Sequence, residues 1–458
     1  MPVRRARLYY TVVKGIPRSA LWPVAVAVVV RVAVWAMIPG DRFASDEQGY
    51  VEAGLSLAMR GEQDLFWPPL TGWIVALIKT IAPAAPLAAL RLAWIAMDIV
   101  NVGLVAILAG RAARAVRPDA ERALVVASSL AYALYLPAIS HAQFVTSEMP
   151  ALLLVLASLV LVTSSAARPA TDAAAGLVFG ALLLARANLL PLMVLMPICA
   201  FSGQPRAIRL RRTATVIVIG TAVVSAAVVR NWMSFGDPTL SRNAAYNLYI
   251  GNSEMYAEDL NLFDPVATSE QIEFRRQFAA GTLQYPSGTA AELQRSALRS
   301  IADHPVIFMR RALGRLARVF APKTDVLELA GGEAAVGVFS PAGVTLLGIA
   351  NLQWVCILFG GLIGLSLLWQ RDRVLGGTFI ATIVGSVLLC LIAISKPRYS
   401  FVFDPLLIIG AVVIVSVPAV ERIAAWRRAR RALIPITGFL IWGWTAWVIF
   451  AFSSRLAR

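Results

Sequence analysis

Apolar runs of membrane-spanning length recur from one end of this 458-residue chain to the other, and no other feature limits its fold so tightly. A hydrocarbon layer about 30 Å thick is crossed by roughly 20 helical residues, and backbone polar groups inside it must be satisfied within the protein. Runs of this kind lie near 20–38, 86–110, 123–139, 149–165, 173–185, 188–202, 213–229, 343–369, 374–394, 402–419 and 433–452, which predicts an all-α polytopic membrane protein with about 11 transmembrane helices. A further apolar segment, 69–83, is short and proline-flanked and reads as a re-entrant or interfacial helix. Composition excludes an ordinary soluble domain: 59% of residues are hydrophobic and 15% charged, against about half and a quarter in soluble proteins.

With the N-terminus inside, the turns expected on the cytoplasmic side carry 21 Lys and Arg residues, whereas the short outer loops, the apolar segment 69–83 aside, and the C-terminal tail carry 7. The positive-inside rule favours that orientation. The formal charge of +16 is spread over these short loops, so it reads as topological charge meeting anionic lipid and not as a nucleic-acid surface. The first apolar run leads into a carboxylate motif with no small-residue cleavage site and reads as a retained span. Three units follow: a transmembrane module at 1–229 with an outer loop at 39–85, an outer segment at 230–340 with interfacial helices, and a second transmembrane module at 341–458. Cys199, Cys356 and Cys390 fall in apolar runs without metal-ligand spacing and read as core residues.

The first outer loop opens with Ser45-Asp46-Glu47-Gln48-Gly49-Tyr50. Two adjacent carboxylates at a membrane boundary are costly, so they mark a candidate site. Ser45 with Gln48 also matches a capping box, in which the acids serve only the helix dipole, and on local pattern both readings stand. Tyr50, Ala53, Gly54, Leu57 and Ala58 then recur at helical spacing until Gly61, as in an amphipathic helix on the membrane surface, and Trp67-Pro68-Pro69-Leu70 restarts the chain. Arg31, inside the first run, either pairs or snorkels. Arg91, a candidate substrate contact, precedes Asp98, a partner for Arg31 or for Arg91.

Glu148 is the one acid in the second outer loop and reads as the second carboxylate of a site, while His141 in the same loop reads as a surface histidine. Arg186, Lys396 and Arg398 sit at outer turns, where guanidinium and ammonium groups grip phosphate. The outer segment holds 11 basic and 12 acidic residues. Arg230, Asn247 and Tyr249 lie in a stretch rich in Asn, Tyr and Trp that suits a sugar or headgroup, or a turn-rich loop. Asp303-His304-Pro305 introduces a helix with Val306, Ile307, Leu313, Leu316 and Phe320 on one side and Arg310, Arg311, Arg315 and Arg318 on the other, expected to lie on lipid headgroups.

Taken in order, Asp46-Glu47 with Tyr50, Gly61 and Pro68-Pro69-Leu70, then Glu148, Arg186, Arg230-Asn231, Asn247 to Asn252, His304-Pro305 and Arg398-Tyr399 ahead of Pro405 resemble the GT-C glycosyltransferases. The nearest branch is the bacterial family 39 type, kin to protein O-mannosyltransferases and lipid A aminoarabinose transferases. The resemblance runs over nearly the whole chain. It implies a GT-C fold and an inverting transferase that takes a sugar from a polyprenyl phosphate and passes it to a lipid, glycan or protein acceptor on the outer face of the bacterial cytoplasmic membrane. It places the catalytic carboxylate at Asp46, positioning acids at Glu47 and Glu148, and donor contacts at Arg186, Lys396 and Arg398, with Tyr50 and Tyr399 among the substrate-binding residues. No cofactor is expected; a divalent cation loosely bridging a donor phosphate is compatible with the residues but not indicated. The aminoarabinose branch carries a lysine just before its double proline, and here that residue is Trp67.

Two other classes fit a polytopic chain with charges: a lipid-linked sugar transporter or flippase, and an assembly subunit without chemistry. Transporters carry ionisable residues near mid-membrane and show internal repeats, whereas these charges gather at one face. An O-antigen ligase or polymerase is the nearer enzyme alternative.

Overall fold

The computed structural model describes residues 17–44, 46–164, 168–253, 260–279, 288–331 and 340–456, and among them the chain is helical with no strand. Ser45 of the expected capping box and the N-terminal basic residues before Pro17 lie outside the described residues. The helices are α1 (Leu21–Met37), α2 (Glu47–Arg60), α3 (Pro69–Ile81), α4 (Leu87–Val116), α5 (Glu121–Ala133), α6 (Leu136–Ala142), α7 (Glu148–Val162), α8 (Pro169–Ala185), α9 (Leu190–Ala200) and α10 (Arg206–Phe235). They continue as α11 (Arg242–Asn252), α12 (Ser269–Ala279), α13 (Ala290–Asp303), α14 (Pro305–Val319), α15 (Pro341–Arg371), α16 (Arg373–Leu388), α17 (Asp404–Ser416) and α18 (Ala419–Leu456).

Every predicted apolar run coincides with a helix, but the lengths differ. Among the described residues six helices are long and apolar enough to cross a bilayer: the one ending at Met37, α4, α10, α15, the one from Arg373 to Leu391, and α18. The run at 123–139 is a pair of helices bent by 58° across Leu134 and Tyr135, where Pro137 removes a helix donor. The apolar helices α3, α7, α8 and α17 fall short of 18 residues, as does the stretch Ala187–Ala200.

Local chemistry accounts for the boundaries. Proline opens α3, α8, α14 and α15 at a first-turn position where the missing N–H costs nothing. The Asp372 carboxylate accepts from the N–H groups of Val374 and Leu375, both at 3.0 Å, and starts α16. Gly61, at φ 70°, ends α2 in the left-handed conformation that side chains disfavour.

Packing inside the bundle uses close contacts between small residues. A Cβ placed on Gly364 of α15 would lie 1.8 Å from the Gly410 carbonyl oxygen of α17, so these two helices touch backbone to backbone. A continuous core that includes Trp94, Phe179, Trp354 and Phe379 fills the space between α4, α8, α15 and α16.

The charges buried inside this core are paired. Arg31 is fully buried, with Nε 2.7 Å from Asp98 Oδ2, and the Tyr132 hydroxyl donates to the other oxygen of that carboxylate. Of the two readings for Arg31 the structure selects pairing, and of the two partners for Asp98 it selects Arg31. Far from this pair in sequence, Arg212 of α10 donates from Nε and Nη2 to Asp172 of α8 at 2.8–3.1 Å. Cys390 is buried, but Cys356 is exposed on α15, contrary to the expected core position.

The helix after His304 also departs from expectation. Val306 and Met309 are exposed, whereas Arg315 is fully buried and donates to the carbonyls of Leu391 and Ile392 at 2.9 Å and to that of Gly251. The Leu391 and Ile392 carbonyls lie where the chain breaks after α16 and that of Gly251 in the last turn of α11, all without helical partners, and a guanidinium with five donors satisfies several at once. Arg315 is therefore a strut and not part of a headgroup-facing basic stripe.

Candidate active site

Glu148, Asp46, Arg186 and Arg398 come from four separate parts of the chain and meet at one end of the bundle. Glu148 occupies the first turn of α7, Asp46 the N-cap of α2, Arg186 the break between α8 and α9, and Arg398 the 3-10 turn Pro397–Val402. Arg398 Nη2 donates to Asp46 Oδ2, and Arg398 Nε lies 3.2 Å from Glu148 Oε1. Arg186 Nη1 lies 3.0 Å from that same Glu148 oxygen, and its guanidinium stands 4.8 Å from the centre of the Tyr399 ring. One carboxylate oxygen is thus shared by two guanidinium groups, and no acceptor is aligned with the buried Arg186 Nη1 among the described residues.

The members differ in access. The Asp46 side chain keeps 34% of its surface exposed, against 3% for Glu148 and 9% for Arg186, so Asp46 is the group an incoming molecule reaches first. Burial pushes the Asp46 carboxyl upward, but Arg398 and Lys396 beside it outweigh this and hold it below the usual carboxylate range. Burial also pushes the Tyr399 phenol up to about 12, against the pull of Arg186, so this hydroxyl keeps its proton at neutral pH.

The other expected site residues divide into two groups. Tyr50 is buried one helical turn after Asp46, with its ring 4.5 Å from that of Trp67. Lys396 sits two residues before Arg398 and contributes to the field at Asp46. Glu47, by contrast, is fully buried and committed elsewhere: its carboxylate lies 2.7 and 2.9 Å from Arg91 Nη2 and Nε and accepts from the N–H of Val145 at 2.8 Å. Glu47 and Arg91 tie the start of α2 to α4 and the loop before α7. Arg230 is exposed on α10 and joins none of these contacts. Asn247 donates to Asn243 at 2.8 Å within α11, and Tyr249 packs against the small apolar cluster that includes Ile250, Leu293 and Ile394.

Two neighbouring polar contacts escaped the reading of the sequence. Lys323, almost fully buried, stands 3.0 Å from Asp404 Oδ2 and 4.0 Å from the Trp354 ring centre, and it donates to Ser400 Oγ. Ser400 belongs to the same 3-10 turn as Arg398, so this buried pair anchors the turn that presents the guanidinium. The signal was faint: Lys323 is one of 4 lysines beside 38 arginines, and nothing local shows that it folds against residue 404. His141 is not a surface residue: it is 8% exposed and its Nε2 lies 2.9 Å from Asp325 Oδ2. Among the described residues no group of three or more His, Cys, Asp and Glu is arranged to hold a metal.

No protein-family model matches the chain, and no curated protein does. Solved structures of the archaeal oligosaccharyltransferase AglB from Archaeoglobus fulgidus show a distant likeness. The complex with an inhibitory peptide and a dolichol-phosphate aligns with TM-score 0.48 and 14% identity over 95% of this chain and 56% of that one. The apo form aligns with TM-score 0.49 and 12% identity over 96% and 56%, and the form tethered to an acceptor peptide with TM-score 0.48 and 13% identity over 94% and 55%. The chain spans little more than half the length of these structures.

Proposed function

We propose that the chain is a membrane glycosyltransferase that moves a sugar from a polyprenyl phosphate to an acceptor hydroxyl. One observation carries the reading: Arg398 bridges the accessible Asp46 and the buried Glu148 while Arg186 shares the Glu148 oxygen, which sets one guanidinium on the accessible carboxylate and a second across Glu148 from it. The sequence resemblance to GT-C enzymes of the family 39 type supports the same chemistry. The six long apolar helices support a multi-pass membrane protein. The excess of basic residues in the opposite turns supports an outward-facing site on a bacterial cytoplasmic membrane, within about 11 crossings.

In this reading the acceptor oxygen attacks the anomeric carbon from the side opposite the phosphate. The carbon–oxygen bond to phosphate breaks, its electron pair stays on the phosphate oxygen, and the acceptor proton passes to Asp46. Arg186 and Arg398 stabilise the charge that develops on the leaving phosphate. A carboxylate held below its usual range is a weak base, and donor binding corrects this. When a phosphate oxygen engages Arg398, Asp46 loses its strongest neighbour while burial still raises its proton affinity.

A transporter is the second reading, because Arg31 and Asp98 are ionisable groups buried well inside α1 and α4. With Arg31 donating to Asp98 and Tyr132 completing the carboxylate, the pair has the composition of structural glue between helices. The deciding experiment presents membranes containing the protein with a panel of polyprenyl phosphates carrying radiolabelled sugars and a cell-envelope acceptor fraction. The glycosyltransferase reading expects label in the acceptor from at least one donor. Label that crosses the bilayer still attached to lipid, with none transferred, supports the transporter instead.

A further inference from the structure

Four indoles packed within the bundle, those of Trp35, Trp94, Trp354 and Trp444, each donate Nε1–H to a backbone carbonyl at 2.8–3.3 Å. Among the described residues Trp67, like the half-buried Trp73 and Trp447, makes no such bond. It is partly exposed, and among the described residues its Nε1–H meets no acceptor and is not shut away from solvent. An indole usually finds a partner for this N–H when it is buried for packing alone.

The position of the ring is specific. A Cβ built on Gly49 would lie 2.6 Å from both Cζ2 and Nε1 of Trp67, so the indole rests directly on the backbone of α2 where Gly49 leaves room. Gly49 and Tyr50 follow Asp46 by three and four residues, which in a helix places them on its side of the surface. The Tyr50 ring is 4.5 Å from the indole, the Phe66 ring meets the indole edge-on at 5.0 Å, and Tyr246 extends the row at 5.6 Å from Phe66. An aromatic wall therefore begins within one helical turn of the carboxylate.

The wall is held from behind. The N–H groups of Arg242 and Asn243 donate to the carbonyls of Leu65 and Phe66, each at 2.9 Å, and the Asp64 carboxylate accepts from Phe66 N–H at 2.6 Å. The start of α11, rich in Asn and Tyr, thus clamps the loop that carries Trp67, and Pro68 restricts it on the other side.

We propose that Trp67 is the stacking platform for the donor sugar, a hexopyranose whose C–H face lies on the indole, with Nε1–H left at the ring edge for a substituent that reaches past it. The inference rests on the transferase reading above: a sugar joined to a phosphate at Arg186 and Arg398 by one bridging oxygen has little room to stray from Asp46, and of the two aromatic side chains placed on that helix face Tyr50 is buried while Trp67 is partly exposed. Stacking supplies contact area without a charge and fixes the direction from which the anomeric carbon faces Asp46.

The test compares equilibrium binding of undecaprenyl phosphate with that of its mannosyl, glucosyl and galactosyl derivatives, using the full chain in lipid nanodiscs. The intact protein should bind at least one glycosylated lipid about tenfold more tightly than the bare lipid, the order of gain that stacking of one ring on an aromatic side chain supplies. Trp67→Ala should erase that gain while keeping affinity for the bare lipid within about twofold, which also shows that the variant is folded; Trp67→Phe should keep part of it. A Trp67→Ala protein that retains the full gain, or an effect of the substitution confined to the acceptor, overturns the platform while leaving the phosphate site standing. An intact protein that binds bare and glycosylated lipids equally also overturns it, and one that binds neither overturns the transferase reading as well.

Discussion

Arg398 and Asp46 are separated by 352 positions in sequence and joined by a hydrogen-bonded ion pair in space. The contact sits where a first-loop carboxylate meets the turn between two late helices, and the account of function depends on its being exchangeable. Arg398 serves Asp46 and Glu148 in the structure, and in the proposed reaction it turns to the donor phosphate.

That exchange has a pH signature. In the free protein the Asp46 carboxyl lies below its usual range because Arg398 and Lys396 outweigh the upward push of burial. A depressed value means that the charged form, and any stability drawn from the pair, persists above the ordinary carboxylate range and is lost only as pH falls through the lowered value. The acid limb of kcat/KM, which reports the free enzyme, should therefore fall below about pH 4. The limb of kcat, which reports the complex, should lie at higher pH, and Arg398→Gln should move the kcat/KM limb upward. Superimposed limbs for the intact protein would mean that Arg398 stays with Asp46 throughout.

Arg186 makes a different contribution. Its Nη1 stands 3.0 Å from Glu148 Oε1 without a well-aligned hydrogen bond, so in the proposed reaction a phosphate oxygen competes with Glu148 for it. Arg186→Gln should lower kcat/KM roughly 10²- to 10³-fold, the effect of removing one donor from a charge-stabilising site. Because lysine keeps the charge without the fork, Arg186→Lys should recover only part of the loss. Steady-state kinetics on both variants, with protein amount matched, measures it.

Glu47 and Arg91 are buried together, so breaking the pair is expected to cost stability more than chemistry. Arg91→Met leaves a buried carboxylate without its cation, an effect of about 3–5 kcal/mol. Thermal unfolding in detergent should show a clear drop in Tm for Arg91→Met. A Tm unchanged by the substitution would mean that the pair is not part of the framework.

How much of this was legible beforehand varies residue by residue. Asp46, Glu148, Arg186 and Arg398 all stand in the turns beyond apolar runs, where a charge at a membrane boundary draws notice, and their roles came from the resemblance added to that position. What the order of residues does not carry is which charge meets which. Glu47, adjacent to Asp46, turned out to face Arg91 because successive helical residues point about 100° apart, so neighbours in sequence reach different partners. Arg315 sat in an evident basic stripe, yet it is drawn inward by the unsatisfied carbonyls after α16. The Asn- and Tyr-rich stretch at 243–252 looked like a ligand surface, and its first contacts are with the backbone of the Trp67 loop.

Lys323 and Asp404 offer a separate check on how Arg398 is held. Removing one partner leaves a buried charge, so Lys323→Met and Asp404→Leu should each lower Tm, whereas the double variant should recover much of the loss. The pair anchors the 3-10 turn through Ser400, so the recovered double variant should still show weaker donor binding than the intact protein. Unfolding curves and donor titrations on the same samples separate the two effects. Donor affinity in the double variant equal to that of the intact protein would show that the turn holds Arg398 without them.

The most direct test of the central claim is labelled-sugar transfer by Asp46→Asn in membranes, beside the intact protein at equal expression and with polyprenyl-phosphate binding measured in parallel. Asparagine keeps the shape and removes the proton acceptor. The account predicts that transfer falls roughly 10²- to 10⁴-fold, the usual contribution of a general base, while lipid binding persists. Transfer by Asp46→Asn within a few-fold of the intact protein would contradict it and remove Asp46 from the chemistry.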